Sequence, residues 1–296
     1  IDVLLTNNDE PDKVAEQFQN ILNELEKKKG KDELKKIQGF TKFVPNPGPM
    51  TRSIVEHYID QSMKKMNVDV IDVIQFHWWD YNDASYIDAL HQLTKLRDDG
   101  KISHLALTNF DTERIQIMTD NGIELVSNQV QYSIIDTRAE DEMAQYCLEN
   151  GIGILCYGTV AGGFFSERFL GASEPTQVDT RSSVKYQLII KEFGGWNLFQ
   201  ELLKTLDLIA KSHNTDIGTI ASAYMVNRPG VTAVIVGARN LSHLEPNLKI
   251  PTIKFSDEDL GAIAEILSRR KGPKGPVYYL ERYSDEHRNI MHTNNN

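Results

Sequence analysis

The stretch Val70-Ile71-Asp72-Val73-Ile74-Gln75-Phe76-His77-Trp78 reads as a strand covered on both faces, apolar along most of its length and closed by a polar ring. The segment before it, Thr51–Met66, has a helical period, with Ile54, Tyr58, Ile59, Ser62, Met63 and Met66 on one face. The segment after it, Ser85–Arg97, is again helical and leads into a second apolar run, Ile102–Phe110. Working outward, the same unit recurs. Apolar runs lie at Ile37–Val44, Leu125–Tyr132, Ile152–Val160 and Thr232–Ala238, and helical segments at Asp12–Lys29, Asp111–Asp120, Glu140–Glu149 and Leu198–His213. Gly30, Gly100, Asn121-Gly122 and Asn150-Gly151 supply helix stops. Strand and helix alternating at roughly thirty residues with short connections is the signature of parallel βαβ units. With a partial run at Asp2–Leu5 the count reaches seven strands. The expected fold is therefore an α/β (β/α)8 barrel, incomplete at its N-terminus, over residues 1–268, with a C-terminal tail over 269–296. An open doubly wound sheet is the alternative, but no G-x-G-x-x-G follows any strand.

Composition narrows the function. The chain has 296 residues, 40% hydrophobic and 25% charged, an ordinary globular balance. Its net charge of −10 argues against a nucleic-acid binder, which needs a basic face. No run approaches the ~18 apolar residues of a membrane span. The opening Ile1-Asp2-Val3-Leu4-Leu5-Thr6 lacks the charged and apolar regions of a secretory signal, and a start at Ile1 fits a processed product or a fragment. Two cysteines, Cys147 and Cys156, point to a reducing, cytoplasmic setting rather than a disulfide scaffold. Two stretches break the period. Gly162–Asn197 reads as a long insertion of functional or mobile character, and the segment from Arg269 as an extended arm packing on the barrel base.

In a barrel, sites are built at the C-terminal ends of the strands. Lys42, His77, Thr108-Asn109, Ser127-Asn128-Gln129, Tyr157 with Gly158-Thr159-Val160-Ala161-Gly162-Gly163, and Gly237-Ala238-Arg239 all close apolar runs. Each has an ordinary explanation: a surface lysine, a satisfied core histidine, an N-cap at Asn109, a turn at Gly162-Gly163. Their joint position at one end of every strand is harder to dismiss. No metal-ligating pattern stands out.

The chain resembles the aldo-keto reductase superfamily from about Pro11 to Leu248. The resemblance is carried by Ser62-Met63-Lys64-Lys65-Met66-Asn67-Val68-Asp69-Val70-Ile71-Asp72-Val73-Ile74-Gln75-Phe76-His77, by Asn128-Gln129-Val130-Gln131-Tyr132-Ser133, and by Val236-Gly237-Ala238-Arg239 with Asn247 after it. It implies an eight-stranded barrel that binds NADP(H) and reduces an aldehyde or ketone by hydride transfer. Lys42 and His77 then match the family's catalytic Lys and His, which lower the pKa of a catalytic Tyr and orient the carbonyl. Asn109 and Gln129, with Thr108 beside them, match the side chains on the nicotinamide carboxamide, and Tyr157 the ring stacked on the nicotinamide. Gly158, Thr159 and Gly162 match the pyrophosphate loop. Gly237, Ala238, Arg239 and Asn247 fall in the adenosine-phosphate region, with Arg239 suited to a 2′-phosphate. Trp78, Trp79, Tyr81 and Phe110 are expected to line the pocket of a small-molecule carbonyl substrate. Some members share the Pro-Gly-Pro-like tail that leads into Tyr278-Tyr279-Leu280-Glu281-Arg282.

The other half of the family tetrad departs from the pattern. Aligned on Pro11, Asp9 stands at the Tyr position and Leu4 at the Asp position. Asp2 serves only in a shifted register, and no Tyr precedes Tyr58. A non-catalytic NADP(H)-binding protein with a regulatory or redox-sensing role is therefore the alternative. A barrel of another class, such as a phosphate-binding isomerase, is the third reading, prompted by Gly162-Gly163.

Overall fold

In the computed structural model, which describes residues 37–178, 180–237 and 243–291 with Asn23, Lys27 and Gly30, single residues dictate how helices hand over to strands. Helices α1 (Arg52–Met66), α2 (Ser85–Asp98), α3 (Thr112–Asp120) and α4 (Met143–Glu149) are each followed by a left-handed residue. These are Asn67 (φ 54°), Gly100 (φ 82°), Gly122 (φ 77°) and Gly151 (φ 68°). The next N–H then donates back into the last turn: Val68 to Met63, Lys101 to Leu96, Ile123 to Met118 and Ile152 to Cys147, at 2.8–3.1 Å. That closure satisfies carbonyls the helix end would leave open and releases the chain in a new direction.

The strands so reached are β1 (Phe40–Phe43), β2 (Ile71–Phe76), β3 (Ile102–Thr108), β4 (Ser127–Gln131), β5 (Gly153–Tyr157) and β6 (Val231–Val234). Pairing is parallel from β1 through β4 and between β5 and β6, and strand order in the sheet follows chain order. A doubly wound sheet would reverse its order at a switch point; an unreversed parallel order is the singly wound topology of the (β/α)8 barrel. The expected strand at Asp2–Leu5 lies outside the described residues, as does the expected helix at Asp12–Lys29 apart from Asn23 and Lys27, which are helical.

The described chain forms two compact units, an amino-terminal one (37–129 with Gly237) and a carboxy-terminal one (130–236 and 243–291). In the first, Val55, Ile59, Leu90, Leu93 and Leu96 of α1 and α2 are fully buried, as are Ile71, Ile74 and Phe76 of β2. Of the expected inner stripe of α1, Ile59 is fully buried and Ser62, Met63 and Met66 are half-buried, but Ile54 and Tyr58 are 39% and 40% exposed and Val55 is buried in their stead. At 100° per residue the two choices are adjacent columns of one helix, which periodicity alone separates poorly.

In the second unit, the stretch expected to be irregular, 162–197, contains α5 (Arg181–Phe193) after two short 3-10 turns. Thr180 caps α5, accepting from the Ser183 N–H at 3.0 Å. α6 (Trp196–Ser212) buries Phe199, Leu202, Leu203 and Leu206, and α7 (Ile217–Val226) is apolar and buried nearly all round. α8 (Leu244–Lys249) and α9 (Asp257–Leu267) follow, and the tail forms α10 (Tyr279–Tyr283) and α11 (Asp285–Met291) rather than an extended arm. Cys147 and Cys156 are free and buried, and burial pushes the Cys147 thiol up to about 12. Neither reacts with a thiol reagent until the protein is unfolded, as a timed assay with and without urea checks. No described helix is long and apolar enough to cross a membrane.

Candidate active site

Register builds the first cluster, in the amino-terminal unit. Lys42 of β1 lies opposite Gln75 of β2, and Gln75 opposite Ala106 of β3. Thr108 lies opposite Gln129 of β4. Because side chains alternate with period two, His77 and Thr108, each two residues beyond a paired position, share the face of Lys42 and Gln75. Gln129 joins them. Five polar side chains thus leave the C-terminal ends of four parallel strands on one side. Phe43 and Phe76 leave on the other and stack at 5.6 Å.

The hydrogen bonds fix this face. The His77 backbone N–H donates to Phe43 O at 3.0 Å, extending the ladder past β2. Its ring Nδ1 lies 2.9 Å from Thr108 O, a pure acceptor, so Nδ1 carries the proton. In the neutral ring Nε2 is then an acceptor, and in the imidazolium a second donor. The Thr108 hydroxyl donates to Gln129 O at 3.1 Å, and the Asn109 N–H donates to the same carbonyl at 2.9 Å. Asn109 adopts φ 61°, a conformation that costs most residues energy and that asparagine tolerates. It does not cap α3; Asp111 does, accepting from the Arg114 N–H at 3.0 Å. Lys42 is solvent-accessible at the strand end, yet the protein around it desolvates its amine and lowers its pKa.

The aromatic residues divide by exposure. Trp78 is fully buried, and its Nε1–H donates to Asp80 O and Asp83 O at 2.8 and 2.9 Å, tying down the turn into α2. Phe110 is also fully buried, stacked on Phe76 and Tyr81 at 5.7 and 5.8 Å. Trp79 and Tyr81 are half-buried, and the Trp79 ring meets His77 edge-on at 4.5 Å. The accessible aromatic ring beside His77 is therefore that of Trp79, while the Tyr81 ring is occupied by Phe110 and by the Arg114 guanidinium at 4.7 Å.

In the carboxy-terminal unit, Tyr157 ends β5 and leads into a tight turn with Gly158 at φ 80° and Gly162 at φ 62°. Tyr186 of α5 packs against this turn. A Cβ on Gly158 would lie 2.0 Å from the Tyr186 hydroxyl, and one on Gly162 would lie 2.7 Å from its ring. Gly158→Ala therefore combines left-handed strain of about 1–2 kcal/mol with an overpacking cost of about 1–3 kcal/mol. Urea unfolding is expected to show that loss, with part of it restored by adding Tyr186→Ala. The Thr159 hydroxyl is committed to Ser222 of α7 at 3.0 Å. Asn247 is half-buried on α8.

Sequence reading missed a buried ionic group in this unit. Lys185 of α5 sits with Nζ 3.4 Å from the Tyr157 hydroxyl, and 4.9, 5.7 and 5.9 Å from the ring centres of Tyr157, Tyr186 and Tyr278. Arg138 forks onto Asp136 and Glu281 at 2.7–3.1 Å, with all three side chains 2% exposed or less. Asp136 and Arg138 follow the C-terminal end of β4, so the tail carrying Glu281 and Tyr278 packs at the end of the strands where barrel sites form, not at the base. The only trace in the sequence was Lys185 and Tyr186 on the apolar face of an unrecognised helix. Nothing local links Arg138 to Glu281.

Ala238 and Arg239, and the early positions Asp2, Leu4 and Asp9, lie outside the described residues. Gly237 is described, just beyond β6. Among the described residues no group of His, Cys, Asp or Glu is arranged to hold a metal ion.

Residues 13–268 match the profile of the Aldo/keto reductase family. An aryl-alcohol dehydrogenase of Pestalotiopsis microspora is 28% identical over 213 residues, 69% of this chain and 51% of the relative. Flagellar radial spoke protein 5 of Chlamydomonas reinhardtii is 25% identical over 177 residues, 53% of this chain and 33% of that one. The glycerol dehydrogenase of Gluconobacter oxydans shares the fold, with a TM-score of 0.68 at 18% identity over 81% of this chain and 75% of that structure. The chain spans about half the length of the first curated relatives it matches. With the profile match covering most of the chain and the strand-end pattern of Lys42, His77, Asn109 and Gln129 in place, the chain belongs to the aldo/keto reductase family.

Proposed function

We propose that this chain carries an NAD(P)H-dependent oxidoreductase site that reduces an aldehyde or ketone to an alcohol. The observation behind it is the single face onto which Lys42, Gln75, His77, Thr108 and Gln129 project. The side-chain amide of Gln75 and Oε1 of Gln129 are buried without a hydrogen-bond partner among the described residues. An unsatisfied buried polar group costs about 1–3 kcal/mol, and a nicotinamide carboxamide carries both the donor and the acceptor that would relieve it. Asn109 and Gln129 would hold that carboxamide, and the family resemblance assigns Tyr157 and the 158–162 turn of the carboxy-terminal unit to the dinucleotide as well. NADP(H) is the expected form, on the guanidinium of Arg239. When bound, the reduced dinucleotide supplies the hydride.

The chain's own residues do the remaining work. The Lys42 ammonium stabilises negative charge developing on the carbonyl oxygen, and partial desolvation strengthens that interaction. His77, held by Thr108 through Nδ1, presents Nε2 to the same face. Trp79, edge-on to His77, suits an apolar or aromatic carbonyl compound. NADPH is expected to quench tryptophan fluorescence saturably and to be consumed with 4-nitrobenzaldehyde. Gln129→Leu weakens NADPH binding about tenfold, the equivalent of one hydrogen bond. Absence of saturable quenching would sink the reading.

A second reading rests on the residues aligned with the family's Tyr and Asp positions, which are Asp9 and Leu4. The chain then binds the dinucleotide without reducing a carbonyl and serves as a regulatory or redox-sensing module. The relative named as a radial spoke protein makes a non-enzymatic setting reasonable for the fold. Tight NADPH binding with no turnover on any of several aldehydes would select it.

A further inference from the structure

The segment after α9 runs Arg269-Arg270-Lys271-Gly272-Pro273-Lys274-Gly275-Pro276, beyond the residues that match the family profile. It forms one wall of a cavity of about 260 Å³ in the carboxy-terminal unit. Arg270, Lys271 and Lys274 line that wall, and Thr137, Arg138 and Asp141, from the loop after β4, line the other. Arg269, the first residue of the run, is paired with Glu201 at 2.7 Å. Arg270, Lys271 and Lys274 have no carboxylate partner among the described residues, in a chain where acids outnumber bases 42 to 32.

The opposite wall is rigid and prepared for the same chemistry. Of the five N–H groups of Arg138, Nε–H and both Nη2–H are committed to Asp136 and Glu281, and one Nη1–H to Glu281. One Nη1–H is left uncommitted by these bonds. Thr137 lines the cavity, and its hydroxyl has no hydrogen-bond partner among the described residues. Behind this wall Asp136, Arg138, Glu281 and Lys185 sum to zero charge. The sign of the cavity is therefore set by three cations against the single carboxylate of Asp141. Cations gathered on one wall repel one another, and an oxyanion among them removes the repulsion.

We propose that this cavity is a binding site for a small phosphate-bearing ligand, separate from any dinucleotide site. Ligand pockets for drug-sized molecules run to roughly 300–1,000 Å³, so the space suits a phosphate or diphosphate group with a short attached moiety. It does not suit a dinucleotide. The lysines act as charges drawn in from solvent, while Arg138 and Thr137 supply fixed donors that orient the oxygens.

The test is calorimetric titration of the whole chain with inorganic phosphate and with pyrophosphate, at constant ionic strength set by KCl. One saturable site is expected, tighter for pyrophosphate. The paired substitution Lys271→Gln with Lys274→Gln alters two exposed side chains, so the fold is retained, and it should weaken binding at least tenfold. Thr137→Val should weaken it severalfold, and Asp141→Asn should tighten it. The titration is repeated with saturating NADPH, where unchanged pyrophosphate affinity is expected. No saturable heat, binding indifferent to the paired substitution, or competitive displacement by NADPH would each overturn the proposal. A chain that binds pyrophosphate but not NADPH would leave this site standing and remove the reductase reading instead.

Discussion

Lys42→Met lowers kcat for carbonyl reduction by about 10²–10³-fold, the range expected when one preorganised donor to a developing oxyanion is lost, and leaves the dissociation constant for NADPH within about threefold. The split follows from where Lys42 sits. It shares a face with His77 and Gln75 at the end of β1, whereas Asn109 and Gln129, the groups proposed to hold the carboxamide, lie just after β3 and on β4. A loss confined to kcat marks an interaction made in the transition state rather than uniform binding. Desolvation lowers the Lys42 pKa from its ordinary 10.5, so the ammonium is lost at a lower pH than for a surface lysine. The alkaline limb of kcat therefore falls below pH 10.5. In Lys42→Arg, whose guanidinium stays charged, any remaining activity lacks that limb. Stopped-flow turnover alongside fluorescence titration separates the two quantities. Unchanged kcat in Lys42→Met would remove the lysine from the chemistry.

The largest stability effect belongs to Arg138. Arg138→Met leaves the carboxylates of Asp136 and Glu281, 0% and 1% exposed, without their shared cation. Removing one partner of a buried ion pair costs about 3–5 kcal/mol, here with two carboxylates stranded. Burial alone would raise the Glu281 pKa, but the charges of Arg138 and Lys185 and the Arg138 hydrogen bonds overcome it and hold it down at about 2. Because the folded pKa lies below the unfolded one, this contribution is complete above the unfolded pKa near 4.5 and is lost as pH falls toward 2. Its size is of order 3 kcal/mol. Urea midpoints measured from pH 5 to 2 should fall steeply in the native chain and less steeply in Glu281→Gln. Equal slopes would show that the pair contributes nothing to acid stability.

Particular residues show how far the chain could be read in advance. The helix stops at Gly100, Gly122 and Gly151 mark their turns because each sits in a left-handed conformation that glycine adopts without cost. The strand-end positions of Lys42, His77, Thr108 and Gln129 were legible because parallel strands of one period bring equivalent positions to one level. Trp78 and Phe110 were harder. Beside a polar strand end, a core aromatic and a pocket aromatic look alike in sequence, and only burial separates them.

Sequence alone determined the parallel alternation of strand and helix and the strand ends at which polar residues gather, since both follow from local periodicity and short connections. The unreversed strand order and the shared face came from the structure. Tertiary structure alone decided that Arg138 meets Glu281 across 143 residues, that Tyr186 fills the turn at Gly158, and that the basic tail closes a cavity with Thr137. Such contacts depend on how non-local segments pack, and neither propensity nor spacing encodes the partner. The reason is physical: a turn is fixed by the conformational cost of one or two residues, whereas a buried ion pair is fixed by the cost of leaving a distant charge alone.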